Sequence, residues 1–174
     1  QPGIVFQKGD VIVRSTKKID VDIENLNKCF SAYGQGGKKM IAKAKQAVDE
    51  IKSQPKIMMV TILTTLSDDD LKVMGNENSI TQQVEHLAKI AKEMQVGIVC
   101  SGLEAKIVRK VLGTNLEIFT PGIRMPSDNS NDQKRICTPI ESIKNGSDKI
   151  IMGRSLISGN IEENLKRVNE SLNI

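Results

Sequence analysis

From residue 38 onward the chain alternates between helix-period segments and short apolar runs, and this alternation restricts its fold more than any other feature. Lys38 to Lys52 predicts a helix with Met40, Ile41, Ala44, Val48 and Ile51 on one face. Lys56 to Leu63 is a continuous apolar run of strand length, as expected of a strand covered on both faces. Ser79 and Gln82 have capping-box spacing ahead of a helix whose stripe is Val84, Leu87, Ala88, Ala91 and Met94. Gly97 to Cys100 predicts a short strand, Leu103 to Leu112 a helix ended by Gly113, and Leu116 to Thr120 another strand. Ile123 to Cys137 predicts a loop whose length is typical of function or mobility. Thr138, with Pro139 and Glu141 behind it, starts a helix; Lys149 to Met152 predicts the last strand. Asn160 and Glu163 open a final helix through Val168 and Leu172.

The order βαβαβαβα implies an α/β fold, a parallel sheet covered by helices. Its spacing fits either a doubly wound sheet or part of a (β/α)8 barrel. A complete barrel takes about 250 residues, so a chain of 174 holds only part of one. Residues 1–37 form a divergent amino-terminal segment ahead of the regular part, 38–174. There, Ile4-Val5-Phe6 and Val11-Ile12-Val13 flank Lys8-Gly9-Asp10 as in a hairpin, and Asp20 to Leu26 has the pattern of a degraded strand.

Charge and composition narrow the function classes. A net charge of +4, with Lys and acidic residues interspersed, predicts solvated helix faces rather than a nucleic-acid surface. Tyr33 and three Phe are too few for a base-stacking module. Cys29, Cys100 and Cys137 form no CxxC pair and have only His86 as company, which argues against a disulfide framework or zinc site and for a reducing cytoplasm. No apolar stretch approaches the roughly 18 residues of a membrane span, and no signal segment opens the chain. The chain opens on Gln1 rather than Met, which predicts a fragment or a processed product.

Several motifs take ordinary readings. Gly34-Gln35-Gly36-Gly37 lacks GxGxxG spacing and has no convincing buried strand before it, so it predicts a turn into the next helix. Asp68-Asp69-Asp70 after Ser67 reads as a helix cap rather than a metal site. His86 sits on a predicted helix among polar neighbours, and Cys100 reads as a buried strand end. No metal and no cofactor is expected.

The carboxyl ends of the last strands carry the chemistry. Thr120-Pro121-Gly122-Ile123-Arg124, Asp132-Gln133-Lys134-Arg135 and Ile151-Met152-Gly153-Arg154 put Gly-Arg pairs after two strands and a basic, amide-bearing loop between them. An anion such as a phosphate, held at the ends of adjacent parallel strands, fits that layout. Arg meets phosphate with two parallel hydrogen bonds, and a glycine leaves the backbone N–H accessible.

Taken together, Val60 to Thr65 (VTILTT), Gly97 to Glu104 (GIVCSGLE), TPGIR, Asp132 to Pro139 (DQKRICTP) and Ile150 to Leu156 (IIMGRSL) resemble, in order and spacing, the carboxyl-terminal part of the orotidine 5′-phosphate decarboxylase family. The resemblance covers Gly36 to the end. It implies a partial (β/α)8 TIM barrel, strands about four to eight, from a carboxy-lyase of pyrimidine biosynthesis that converts orotidylate to uridylate and carbon dioxide as a cytoplasmic homodimer. Another phosphate-binding barrel family is disfavoured by the TPGIR and DQKR pair.

By the same resemblance Arg154 and Gly153 hold the phosphate, Arg124 and Gln133 make further substrate contacts from the mobile loop after strand seven, Thr64 contacts substrate, and Ser101 resembles the residue that meets the pyrimidine edge. The family's proton donor is the Lys of Asp-x-Lys-x-x-Asp, and no such motif occurs in the sequence. The implied chain holds the nucleotide and contributes no catalytic residue. The alternative is a catalytically inactive remnant, at most a nucleotide-binding or scaffold module. A partial barrel exposes sheet edges, so self-association, a complementing chain or a rearranged amino terminus is expected.

Overall fold

The computed structural model describes residues 11–14, 29–49, 55–129 and 132–172. Within them lie strands β1 (Val11–Arg14), β2 (Cys29–Tyr33), β3 (Lys56–Val60), β4 (Gly97–Val99), β5 (Ile118–Thr120) and β6 (Lys149–Met152). The helices are α1 (Gly37–Asp49), α2 (Asp68–Val73), α3 (Ile80–Met94), α4 (Ala105–Leu112), α5 (Pro139–Lys144), α6 (Arg154–Ile157) and α7 (Ile161–Ser171). The six strands form one sheet in the order β1-β6-β5-β4-β3-β2. From β2 to β6 every neighbouring pair is parallel, and β1 lies antiparallel on β6, Val11 opposite Met152. Five parallel strands with intervening helices are the α/β architecture expected of part of a barrel.

Alternation along each strand sorts side chains to two faces. One face contributes a single buried layer, Cys29, Met58, Val99, Phe119 and Ile151, one residue from each parallel strand. The opposite face sends Ala32, Ile57, Met59, Ile98 and Ile118 against Ile41, Val84, Leu87, Ala88, Ala91 and Val108 of the helices. Ile150 and Met152 pack with Leu156, Val168 and Leu172 in a smaller cluster under α7. Because Ile57, Met58 and Met59 are consecutive and all buried, β3 is covered on both faces.

The helix starts follow local rules. Ser67 with Asp70, Ser79 with Gln82, and Thr138 with Glu141 each form a reciprocal capping box, and Pro139 occupies the first turn of α5. Asn160 accepts from the Glu162 and Glu163 N–H groups at the start of α7. The acidic triplet therefore caps a helix, as its position after Ser67 suggested.

Three features differ from the sequence reading. A buried strand does precede Gly34: β2 pairs in register with β3, and its Cys29, Ser31 and Ala32 are buried. Cys-Phe-Ser-Ala-Tyr is neither an apolar run nor a clean alternation, so the sequence pattern carries no strand signal there. Val11 to Val13 is a strand, but its described partner is β6 rather than a hairpin mate. Ile4 to Phe6 and Asp20 to Leu26 lie outside the described residues. The short helix α6 was also unforeseen, being a single turn without a side-chain cap.

The Asp70 carboxylate accepts from Lys134 Nζ at 2.7 Å and from Ser67 N and Oγ at 2.6 Å. Lys134 first, then Ser67, holds its pKa well below the ordinary 3.8. A carboxylate whose folded pKa is depressed stabilises above its unfolded value and loses that contribution as pH falls toward the folded one. Between about pH 4 and about pH 2, thermal melts should therefore lose more stability in the wild type than in Asp70→Asn.

Candidate functional site

The turns that follow β3, β4, β5 and β6 meet at the carboxyl end of the sheet. Thr64, after β3, donates its hydroxyl to the Gln133 side-chain carbonyl. Gln133 Nε2 lies 3.5 Å from Asp132 Oδ2. The Asp132 carboxylate in turn pairs with the Arg154 guanidinium, which begins α6 immediately after β6. Arg154 lowers the Asp132 pKa chiefly through that hydrogen bond, so the carboxylate stays ionised. Thr64, Gln133 and Arg154, widely separated in sequence, thus become one connected row, with Gly153 at its end.

Arg124 lies beside this row but is buried, 6% exposed. Its Nη1 donates to its own residue's neighbour, the Ile123 carbonyl, at 2.9 Å, and its Nε has no hydrogen-bond partner among the described residues. Burial, and after it the positive charge of Arg154, lowers its pKa, while Asp132 and Asp128 oppose the shift. A buried donor without a partner and two neighbouring guanidinium charges both favour an added anion.

Ser101 is not brought into the row. It is wholly buried, accepts from Leu103 N at 3.2 Å and donates to the Arg135 carbonyl at 3.3 Å.

Two hollows adjoin the row. One, about 220 Å³, is lined mostly by apolar groups such as Val60, Ile62, Val99 and Pro121, with Thr64, Thr65 and Gln133 as polar members. The other, about 410 Å³, is lined by Ser127, Asp128, Asn129, Arg154, Ser155, Ser158, Asn164 and Arg167. Arg167 Nη2 donates to Ser127 Oγ at 2.6 Å. Adjacent residues connect the two spaces, since Gln133 lines the first and Asp132 holds Arg154 at the second.

The sequence reading missed the residues that hold these loops together. Arg135 lies within DQKR and Glu104 within GIVCSGLE, so both were in view, but only the fold brings them 2.7 Å apart. Arg167 carried no signal beyond its place on an amphipathic helix.

Gly122 shows how tightly the loops approach. It has φ +75°, and a Cβ there would stand 3.1 Å from the Arg135 carbonyl oxygen and 3.2 Å from Thr64 Cγ2. Gly113 has a similar φ, +73°, with nothing within 4 Å of its virtual Cβ. Gly113, at ψ −154°, lies in a region open almost only to glycine, so Gly113→Ala should cost about 1–3 kcal/mol of backbone strain alone. Gly122→Ala should cost more in urea unfolding, because the crowding adds to the strain.

Among the described residues no group of three His, Cys, Asp or Glu side chains could hold a metal ion. No described helix is long and apolar enough to cross a membrane.

Comparison with known proteins bears on this arrangement. Residues 18–168 match the model of the orotidine 5′-phosphate decarboxylase / HUMPS family. An orotidine 5′-phosphate decarboxylase from Idiomarina loihiensis is 38% identical over 145 residues, 83% of this chain and 60% of that protein. One from Buchnera aphidicola subsp. Schizaphis graminum is 40% identical over 128 residues, 73% of this chain and 54% of that protein. The chain therefore spans little more than half the length of these relatives. The crystal structure of orotidine 5′-phosphate decarboxylase from Lactobacillus acidophilus superposes with a TM-score of 0.69 at 30% identity, over 86% of this chain and 66% of that one. An uncharacterized conserved protein from Geobacillus kaustophilus, TM-score 0.66 at 22% identity, shares the fold. With a family match over residues 18–168 and a fold shared with a solved orotidine 5′-phosphate decarboxylase, this chain belongs to the orotidine 5′-phosphate decarboxylase / HUMPS family.

Proposed function

We propose that this chain carries the nucleotide-gripping part of an orotidine 5′-phosphate decarboxylase, and that by itself it binds a pyrimidine nucleotide without decarboxylating it. One observation carries the reading: an apolar hollow edged by Thr64 and Gln133 is joined, through adjacent Asp132, to a hollow lined by Arg154. A pyrimidine has apolar faces and a polar edge, and a phosphate calls for a forked cation. The two spaces differ in the way those two ends of a nucleotide differ.

In this reading Arg154 grips the phosphate with two parallel hydrogen bonds, exchanging Asp132 for the stronger dianion. Gly153 brings its main chain close, and Arg124 adds a buried positive charge beneath. Thr64 and Gln133 orient the sugar and base side, with Ser101 supporting them through its bond to the Arg135 carbonyl. In an intact enzyme such remote contacts lower the barrier only where they strengthen in the transition state. Replacing the departing carboxylate at C6 with a proton needs a donor beside it, and the 174 residues contain no Asp-x-Lys-x-x-Asp to hold one.

That same absence favours a second reading, an inactive remnant that retains no nucleotide grip and serves at most as a scaffold module. Calorimetric titration with uridylate, alongside an orotidylate turnover assay, separates the two. Binding that Arg154→Ala strongly weakens, without turnover, supports the nucleotide grip. No binding by either form favours the remnant, and turnover above a buffer blank overturns the inactivity. A homodimer or a complementing chain belongs to the first reading, and sedimentation of a stable lone monomer would count against it.

A further inference from the structure

The Arg135 side chain is a single fastening for three loops. Its Nη2 donates to the Ile62 carbonyl at 2.9 Å and the Leu63 carbonyl at 2.8 Å, and its Nε to the Leu66 carbonyl at 3.2 Å. Nη1 lies 2.7 Å from Glu104 Oε2, a charge contact rather than an aligned hydrogen bond. Glu104 also accepts from Ser101 N at 3.2 Å, which extends the attachment to the turn after β4. The backbone repeats the link: Lys134 N and Arg135 N both donate to the Thr64 carbonyl at 3.1 Å. Both charged side chains are nearly closed off from solvent, at 10% and 6% exposure. Burial raises the Glu104 pKa, and Arg135 opposes that shift.

A buried ion pair of this kind is a poor device for stability alone, because well-packed apolar groups of similar volume do as well or better. What it supplies is register. The main chain on both sides of the Thr64–Gln133 contact is held by Arg135, so the two side chains meet in one arrangement before any ligand arrives. We propose that Arg135, held by Glu104, is a positioning residue that pre-organises Thr64 and Gln133 for nucleotide binding. This rests on the nucleotide-grip reading for its consequence, and on the contacts themselves for its structural half.

The test uses the full chain. Single replacement of either partner leaves a buried uncompensated charge and can unfold the protein, so the central variant is Glu104→Gln combined with Arg135→Met. Amide hydrogen exchange of ligand-free protein is followed at Leu66, Lys134 and Arg135, with Ile98 and Ile118 in the sheet as internal references. Expected is exchange faster by about tenfold or more at the three loop amides, with the references unchanged. Uridylate titration is then run in the wild type and in a Gln133→Ala background. The pair replacement should weaken binding by about tenfold in the wild type and have no further effect once Gln133 is gone.

Unaltered exchange at Lys134 and Arg135, or acceleration shared by Ile98 and Ile118, would overturn the proposal. Equal weakening in both backgrounds would overturn it as well. Failure of the wild type to bind uridylate would refute the nucleotide-grip reading by itself, and the exchange comparison would still decide the positioning role.

Discussion

Arg154→Ala is expected to weaken uridylate binding by about a hundredfold at low salt, the scale of one bidentate charged contact. Thermal stability should remain near that of the wild type. The guanidinium is half exposed, and its partner Asp132 is a solvated carboxylate, so removing the pair disturbs no packed interior. Arg154→Lys keeps the charge and loses the fork, and should recover only part of the affinity. Asp132→Asn should act in the opposite direction. Asp132 is kept ionised by Arg154 and occupies the guanidinium that a phosphate would need. Neutralising it removes the competitor, and uridylate should bind more tightly. Calorimetry across this set, repeated at raised salt, checks the whole pattern. Unchanged affinity in Arg154→Ala would remove Arg154 from the site.

Phe119→Ala should destabilise the chain by about 3–5 kcal/mol in urea unfolding, with a fall in melting temperature of roughly 10 °C. Phe119 has no solvent exposure and lies between the strands of Val99 and Ile151 in the layer completed by Cys29 and Met58. Its ring also faces Lys149, whose Nζ lies 4.6 Å from the centroid. Lys149 is itself 8% exposed and 3.7 Å from Glu117, so truncating the ring opens a void beside a buried ammonium. Phe119→Leu, which leaves a much smaller space, should recover more than half of the loss. A small effect of Phe119→Ala would mean that this face of the sheet is not the packed layer described.

Elements governed by neighbours in sequence were the legible ones. The three capping boxes need residues three apart, and all three form as their spacing predicts. The apolar run within Lys56 to Leu63 reads as a two-faced strand because consecutive Ile57, Met58 and Met59 are all buried, which leaves no polar position among them. β2 was missed for the opposite reason. Its Ser31 is buried within the sheet by its neighbours, and nothing local announces that.

The site divided in the same way. TPGIR, DQKR and the Gly153–Arg154 pair mark where strands end and which side chains could meet an anion, and Thr64, Gln133 and Arg154 do come together there. The resemblance implies that Ser101 meets the pyrimidine edge; in the fold its hydroxyl donates to the Arg135 carbonyl and accepts from Leu103 N, outside the Thr64–Gln133–Arg154 row. Glu104 and Arg135 sit inside quoted motifs and still gave no hint of each other, because their contact depends on how three loops converge.

The sequence by itself determined the βα alternation, the helix caps and the family, since each depends on residue types at short or ordered spacings. Only the tertiary structure decided that β1 lies antiparallel against β6, that β2 joins the sheet, and that Arg135 ties the Thr64 and Gln133 loops to Glu104. Those outcomes turn on which distant groups share a low-dielectric interior, where an unpaired charge or backbone group is costly enough to select its partner.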